Sequence, residues 1–315
     1  MSISSLINAP LRSLGLRITR IPAIAAPKAA PRPDPTRKYQ LLDIVKKEPT
    51  NAQAHLNYAV GCLEFGDLYI ANAEVQVARF LGAPVDAVEP IAQRVKDVIP
   101  PKEELDHNKF YRLHSLAKAI MAQGAGLSVL DVGGGSGELA AFIPDQPYCL
   151  AEPRTNGISG EALPFPDNSF DLVVSCHVLE HIPVEHRDAF LDQLMSKARK
   201  AVILLNPFNG DGVDERLQFM WEELHANWAK EHIDCIMPRP EYVMDYAQRR
   251  GLNCTMTPNA TISTAFALVW VDHMMNRNGD LDKNRRFNQF MNTKMMHTIH
   301  DAPGSNIFLS VLARK

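Results

Sequence analysis

Val129-Leu130-Asp131-Val132-Gly133-Gly134-Gly135-Ser136-Gly137 joins an apolar strand to a helix start through a glycine-rich turn, with an acid at the strand end. The glycines let the backbone approach a ligand where a Cβ would clash. Ser136-Gly137-Glu138 then opens a short apolar helix, Leu139 to Ile143, whose free N–H groups can receive an anionic group. The spacing Gly135-x-Gly137-x-x-Ala140 also satisfies the dinucleotide fingerprint. Asp131 weighs against that ligand, because a carboxylate facing a pyrophosphate meets like charge and suits a cationic ligand instead.

Working outward, Tyr148-Cys149-Leu150-Ala151-Glu152 reads as a second strand ending in an acid about 20 residues after the first glycine, placed to accept both hydroxyls of a ribose. Pro153 stops it. Next come Gly160-Glu161-Ala162-Leu163-Pro164-Phe165-Pro166-Asp167-Asn168-Ser169-Phe170-Asp171, the apolar strand Leu172 to Ser175, and His177-Val178-Leu179-Glu180-His181-Ile182-Pro183.

Taken in that order, residues 127–206 resemble the class I S-adenosylmethionine-dependent methyltransferases, in particular the type 11-like branch that reads D-x-G-x-G-x-G, then L-P-F-x-D-x-S-F-D, then V-L-E-H. The resemblance implies an α/β fold with a Rossmann-like, seven-stranded, mostly parallel sheet, and S-adenosylmethionine as cofactor. It implies that Asp131, Gly133, Gly134, Gly135 and Gly137 line the methionine end of the cofactor and that Glu152 holds the ribose. Gly160 and Glu161 then lie beside the adenine, and Ser175 to His177 under the transferable methyl group. One departure stands out. Only Pro153 to Ser159 separate the ribose acid from the next motif, where a parallel crossover wants a dozen or more residues, so the third strand is expected to be reduced. The acid that usually meets the adenine amine falls at about Ser159, leaving backbone groups, Ser159 or Glu161 for that contact.

Beyond this core, Pro183 to Lys200 reads as an amphipathic helix and Ala201 to Leu205 as a buried strand. Val213 to Lys230 reads as one helix carrying Trp221 and Trp228, and Pro240 to Arg250 as another, ended by Gly251. Strands near Asn253 to Thr257 and Asn306 to Leu312 close the sheet. Residues 261–300 form an insertion rich in Met and aromatic residues, read as packing rather than pocket. Together, residues 102–315 make the catalytic domain.

Methyl transfer from a sulfonium is an in-line displacement, so the enzyme aligns two reactants and removes one proton. His177, His181, Asp211, Glu215 and His232 are the candidate bases; the three histidines suit that proton best. A metal site is the lesser alternative. His177, Glu180, His181 and His232 have ligand types found in some methyltransferases that bind divalent ions, but nothing in the sequence fixes their distances, and the expectation is no metal.

Residues 49–84 read as two helices with small residues at Ala59, Gly66, Ala71 and Ala78, and resemble a single tetratricopeptide unit within a helical module, 37–99. One such unit cannot bury both faces, so it must dock on its own chain, on a protein partner or on a second copy. Residues 1–36 make a basic, proline-rich arm. Arg12, Arg17, Arg20, Lys28 and Arg32 alternate with apolar residues before the first acid at Asp34, which allows peripheral contact with an anionic membrane, the irregular arm being the blander reading.

The 315 residues are 46% hydrophobic and 22% charged, enough for one core of catalytic size plus an appendage. A net charge of −3 gives no electrostatic case for nucleic acid. Five cysteines without a Cys-x-x-Cys pair, and no apolar run long enough to cross a bilayer, point to the cytoplasm. Two functions remain: a methyltransferase acting on a small-molecule or glycan acceptor, and a catalytically weak scaffold of the same fold that recruits partners through the helical hairpin.

Overall fold

The computed structural model describes residues 35–260, 262–296 and 306–314. The basic arm falls almost wholly outside them, as does part of the expected insertion. Among the described residues four helices come first: α1 (Thr36–Lys47), α2 (Ala52–Phe65), α3 (Leu68–Phe80) and α4 (Val85–Lys96). Asn51 starts α2 by accepting hydrogen bonds from the amides of Gln53 and Ala54 at 3.0 and 3.2 Å. Gly66, at φ 94°, ends it in the left-handed conformation that a side chain disfavours. A longer helix, α5 (His107–Gln123), follows, capped by the Asp106 carboxylate on the Lys109 amide at 2.8 Å.

The sheet contains β1 (Val129–Val132), β2 (Tyr148–Ala151), β3 (Phe170–Cys176), β4 (Ala198–Pro207), β5 (Asn253–Ala260) and β6 (Ile307–Ala313), in the order β2-β1-β3-β4-β6-β5. The first four run parallel and β6 enters antiparallel between β4 and β5. Every residue of β1 and β2 is buried, which is why these strands read as continuous apolar runs. Between them α6 (Arg187–Lys197), α7 (Val213–Leu224), α8 (Asn227–Asp234) and α9 (Pro240–Arg249) alternate with the strands; α10 (Ile262–Arg277) and α11 (Leu281–Phe290) make up the described insertion. Among the described residues no helix is long and apolar enough to cross a membrane.

Four expectations need correction. The sheet has six strands among the described residues, not seven, because the segment from Glu152 to Ser169 forms turns. It is too short for a crossover helix and a strand. The helix expected after the glycine run is a single tight turn, Glu138–Ala141, cut off before Pro144. The helix expected from Pro183 begins only at Arg187, after two such turns. The helix expected over 213–230 breaks at His225, φ 53°, into α7 and α8.

The space left by the missing crossover is filled by the helical segment. α3 packs along β2, the terminal strand, and Ala73 and Val77 belong to the main core with Val129, Leu150 and Phe170. Phe80 stacks on Phe170 with ring centroids 4.8 Å apart. Ala73 lies so close to the glycine turn that a Cβ on Gly137 would collide with it. Polar bonds fix the same seam. Tyr58 donates to the Thr155 carbonyl at 2.9 Å, and Asn156 donates to Glu74 at 3.1 Å and to the Leu150 carbonyl at 2.8 Å. Buried His55 meets Glu74 through Nδ1 at 2.5 Å and the Pro49 carbonyl through Nε2 at 3.0 Å. Burial opposes a charge on His55, and Glu74 and the Pro49 carbonyl override it, raising the pKa.

The seam is therefore packed to the limit on its apolar side. Enlarging Ala73 to Leu must displace the glycine turn, and is expected to lower stability by about 1–3 kcal/mol. Urea unfolding of Ala73→Leu against the wild-type protein measures this; an unchanged midpoint would mean that α3 can move away freely.

Candidate functional site

A cavity of about 530 Å³ opens beside the C-terminal ends of β1 and β3, where ligands of open α/β sheets bind. Its walls come from four places: the glycine turn after β1, the turns after β3, one face of α5, and the α7, α8 and α10 helices.

On the glycine side, Gly133, Gly135 and Gly137 all adopt positive φ (77°, 59° and 76°), which an L side chain rarely tolerates. Gly134 is required for a different reason: a Cβ there would run into the Asp131 carboxylate. Asp131 is buried at the end of β1, accepts a 2.9 Å hydrogen bond from the Tyr148 hydroxyl through Oδ2, and has no partner at Oδ1 among the described residues. Loss of water lifts its carboxyl to about 7; the Tyr148 bond pulls the other way, and the nearby carboxylates of Glu138 and Glu152 add to the rise.

Other expected residues sit elsewhere. Gly137 seats the back of the turn against Ala73 and is not in the cavity wall. Glu152 spends its oxygens on two amides, Gly135 at 3.2 Å and Arg154 at 3.0 Å, and neither Gly160 nor Glu161 reaches the wall. Gly160 is needed for packing, since a Cβ there would meet Phe190 and Val132 at 2.8 Å. Ser175 is buried and donates to the Val132 carbonyl at 3.0 Å, tying β3 to β1 beneath the site.

The opposite wall carries the histidines. His177 adopts φ 58° directly after β3 and lies with Nδ1 3.5 Å from Glu180 Oε1. Glu180 is completely buried; Asn206 donates to its Oε2 at 2.7 Å. Desolvation raises this carboxyl to about 7. His181 bonds Glu231 through Nδ1 at 3.1 Å and turns Nε2 toward His232 Nε2, also at 3.1 Å. Burial favours the neutral form of all three rings, with Arg112 adding to it at His177 and His181: the pKa of His177 falls well below its usual value, that of His232 to about 3, and that of His181 falls despite Glu231. The structure thus brings His232 beside His177 and His181, which lie some fifty residues earlier in the chain. Asp211 and Glu215 are outside the wall.

Sequence reading missed the wall supplied by α5. Asp106, Lys109 and Arg112 face the cavity, while Phe110, Leu116, Ala117 and Ile120 face the core. The signal was the polar set recurring at helical spacing on an otherwise apolar helix. Lys109 is held by Glu138 at 2.9 Å, and Arg112 stands close enough to His177 to help suppress its protonation. The insertion also contributes: Phe266 and Trp270 pack with Trp228 over α7, while Phe266, Val269, Asp272 and His273 face the cavity.

Residues 105–257 match the model of a family described as a methyltransferase domain. The architecture is the Rossmann-like α/β fold of that class, with a helical segment added in front. The chain is similar over 64% of its length to 97% of a protein from Anabaena variabilis assigned as a methyltransferase of an antibiotic biosynthesis pathway, at 14% identity and TM-score 0.42. It is similar over 64% to 99% of the YcgJ protein of a Bacillus, at 15% identity and TM-score 0.39. It is similar over 64% to 52% of a Haemonchus contortus phosphoethanolamine N-methyltransferase solved with S-adenosyl-L-methionine, at 14% identity and TM-score 0.40. Among curated proteins none matches the sequence.

The state of Asp131 makes a prediction. Folded, it holds its proton up to about pH 7; unfolded, it releases it near 3.8. Between these values the native state binds more protons, so this group makes stability fall as pH rises, by at most about 1.4 kcal/mol per pH unit, and has no further effect above 7. Urea unfolding at pH 5, 6 and 7 is expected to show a shallower fall, or a steeper rise, in Asp131→Asn than in the wild-type protein.

Proposed function

We propose that this chain is an S-adenosylmethionine-dependent methyltransferase whose acceptor is a small molecule or a glycan. The observation that carries the reading is the glycine turn with a buried, half-unpartnered carboxylate at its floor, opening into a cavity lined by neutral histidines. Asp131 Oδ1 lacks a donor, and a cofactor bearing an ammonium group supplies one. Gly133 and Gly135 expose backbone to the same space without side chains, so the cradle fits the methionine end. A dinucleotide fits worse, because its pyrophosphate would face Asp131 and the helix that normally receives it is here one turn long.

Bound there, the cofactor supplies an electrophilic methyl group. The chain's own residues do the rest. Glu152 holds the Gly135 amide and so shapes the turn, with the ribose as its proposed ligand. Gly160 and Glu161 mark the side on which the adenine is proposed to lie. Gly137 and Ser175 keep the turn and β3 in register with the site. His177 is the proposed base: it is neutral, it lines the cavity, and Glu180 stands 3.5 Å from its Nδ1, where it can steady an imidazolium. His181 and His232 form the far wall beside it. Phe266 and Val269 give the acceptor end an apolar side, and Arg112 a cationic one. The hairpin spends one face on its own sheet, which favours the enzyme over a scaffold that recruits partners through that face.

Calorimetric titration tests this directly. S-adenosylmethionine and S-adenosylhomocysteine are expected to bind and NAD to remain silent. Gly135→Val forces a β-branched side chain onto φ 59° and removes the affinity; Asp131→Ala weakens it at least tenfold. His177→Ala is expected to lower kcat by about 10²–10⁴ with little change in cofactor affinity. Undiminished affinity in Gly135→Val would remove the cradle assignment, and full turnover in His177→Ala would place the base elsewhere.

A further inference from the structure

The cluster on the far wall of the cavity has a geometry that proton transfer does not require. Glu180, His181 and His232 each offer one ligand atom, and these atoms lie within 4.8 Å of one another. His181 Nε2 and His232 Nε2 face each other at 3.1 Å, and His232 Nε2 is 3.9 Å from Glu180 Oε1. Two imidazole nitrogens and a carboxylate oxygen bound to one ion at about 2.0–2.2 Å are separated by roughly 3.0–3.6 Å, close to what is found here.

The surroundings are those of ligands held in place. Glu180 is buried, its Oε2 is fixed by Asn206, and its Oε1, which accepts no hydrogen bond among the described residues, lies 3.9 Å from His232 Nε2 and 3.5 Å from His177 Nδ1. The Nδ1 of His181 is engaged by the Glu231 carboxylate, which fixes the tautomer that leaves Nε2 free to coordinate, the carboxylate–histidine pairing that accompanies many metal-bound imidazoles. The two halves of the cluster are also locked together. Arg187, largely buried, donates through Nε to the Ile182 carbonyl at 2.9 Å and through Nη2 to the carbonyls of Cys235 and Ile236 at 2.8 and 2.6 Å, and Cys235 Sγ donates to the His181 carbonyl at 3.3 Å. The turn that carries Glu180 and His181 and the end of α8 that carries His232 therefore hold one another at fixed distance.

We infer that Glu180, His181 and His232 form a binding site for a divalent first-row transition ion, of the two-histidine, one-carboxylate kind. Nitrogen donors select zinc, cobalt, iron or manganese over magnesium and calcium, which prefer all-oxygen shells. All three side chains line the cavity, so the ion's remaining positions open onto the space where the acceptor is proposed to bind. His177 stays outside the ligand set. In the sequence a metal site was only the lesser alternative, because His232 is some fifty residues from Glu180 and His181 and nothing in the pattern placed it beside them.

The test needs no cofactor, so its failure leaves the methyltransferase reading standing, and the reverse holds as well. The full chain is stripped with chelator, dialysed, and titrated with Co²⁺ and Zn²⁺ by calorimetry, with the Co²⁺ visible absorption recorded alongside. One ion per chain is expected, with Mg²⁺ and Ca²⁺ silent. Glu180→Gln and His232→Gln are expected to weaken Co²⁺ at least a hundredfold. Because these two residues are buried and a variant may fail to fold, the half-exposed Glu231 provides a third: Glu231→Gln weakens Co²⁺ about tenfold when His181 is a ligand. Silence of the wild-type protein toward both ions overturns the assignment, as does Co²⁺ affinity that is unchanged in the folded variants.

Discussion

The contact between Ala73 on α3 and the glycine turn after β1 constrains more of the molecule than any other. No Cβ can be placed on Gly137 while α3 is where it is, and no larger residue can replace Ala73 while the turn is where it is. The packing of α3 along β2, with Ala73 and Val77 in one core with Leu150, goes with that approach. So does the burial of all four residues of β2, the terminal strand, which would otherwise present an unpaired apolar edge. The buried pair of His55 and Glu74, tied to Asn156, is tolerable because both members are hydrogen-bonded. The helical segment thus backs the glycine turn, and the described residues pack as one unit.

Across the cavity the chain keeps two carboxyl groups poised in the same way by different means. Asp131, at the end of β1, and Glu180, in the turn after β3, each have one oxygen satisfied by a neutral donor, Tyr148 or Asn206, and one left open. Each is raised to about 7 by loss of water. An unpaired buried oxygen costs stability, and two of them stand on facing walls of one cavity, where a ligand's donor would satisfy each. The arrangement divides the space into a glycine-and-Asp131 end and a histidine-and-Glu180 end, with the guanidinium of Arg112 near the latter.

Much of the fold was legible in the sequence, because strands buried on both faces leave continuous apolar runs and because Gly251 ends a helix through local chemistry. Boundaries were lost where tertiary context overrode local pattern. His225 interrupts a helix without glycine or proline to announce it, and the turns at 179–186 delay α6 although the residues are competent helix formers. The shortened crossover could be read from residue count alone. What took its place could not, since the pairing of Ala73 with Gly137 is a long-range contact between small residues. The glycines and Asp131 were legible because backbone approach and strand-end charge are local demands. The histidine cluster was legible only as a set of candidates, and the α5 wall was passed over because its polar stripe resembles an ordinary solvated helix face.

The strand order carries a consequence for how the chain comes to be. β6 lies between β4 and β5, so β5 has no neighbour in the sheet until the insertion and then β6 have been synthesised. During translation the hairpin and β1 to β4 can assemble as they emerge, whereas β5 must wait, attached to a sheet that cannot yet receive it. A ribosome stalled within the insertion would hold a nascent protein with its cradle shaped and one strand exposed, the kind of intermediate that chaperones are there to shield.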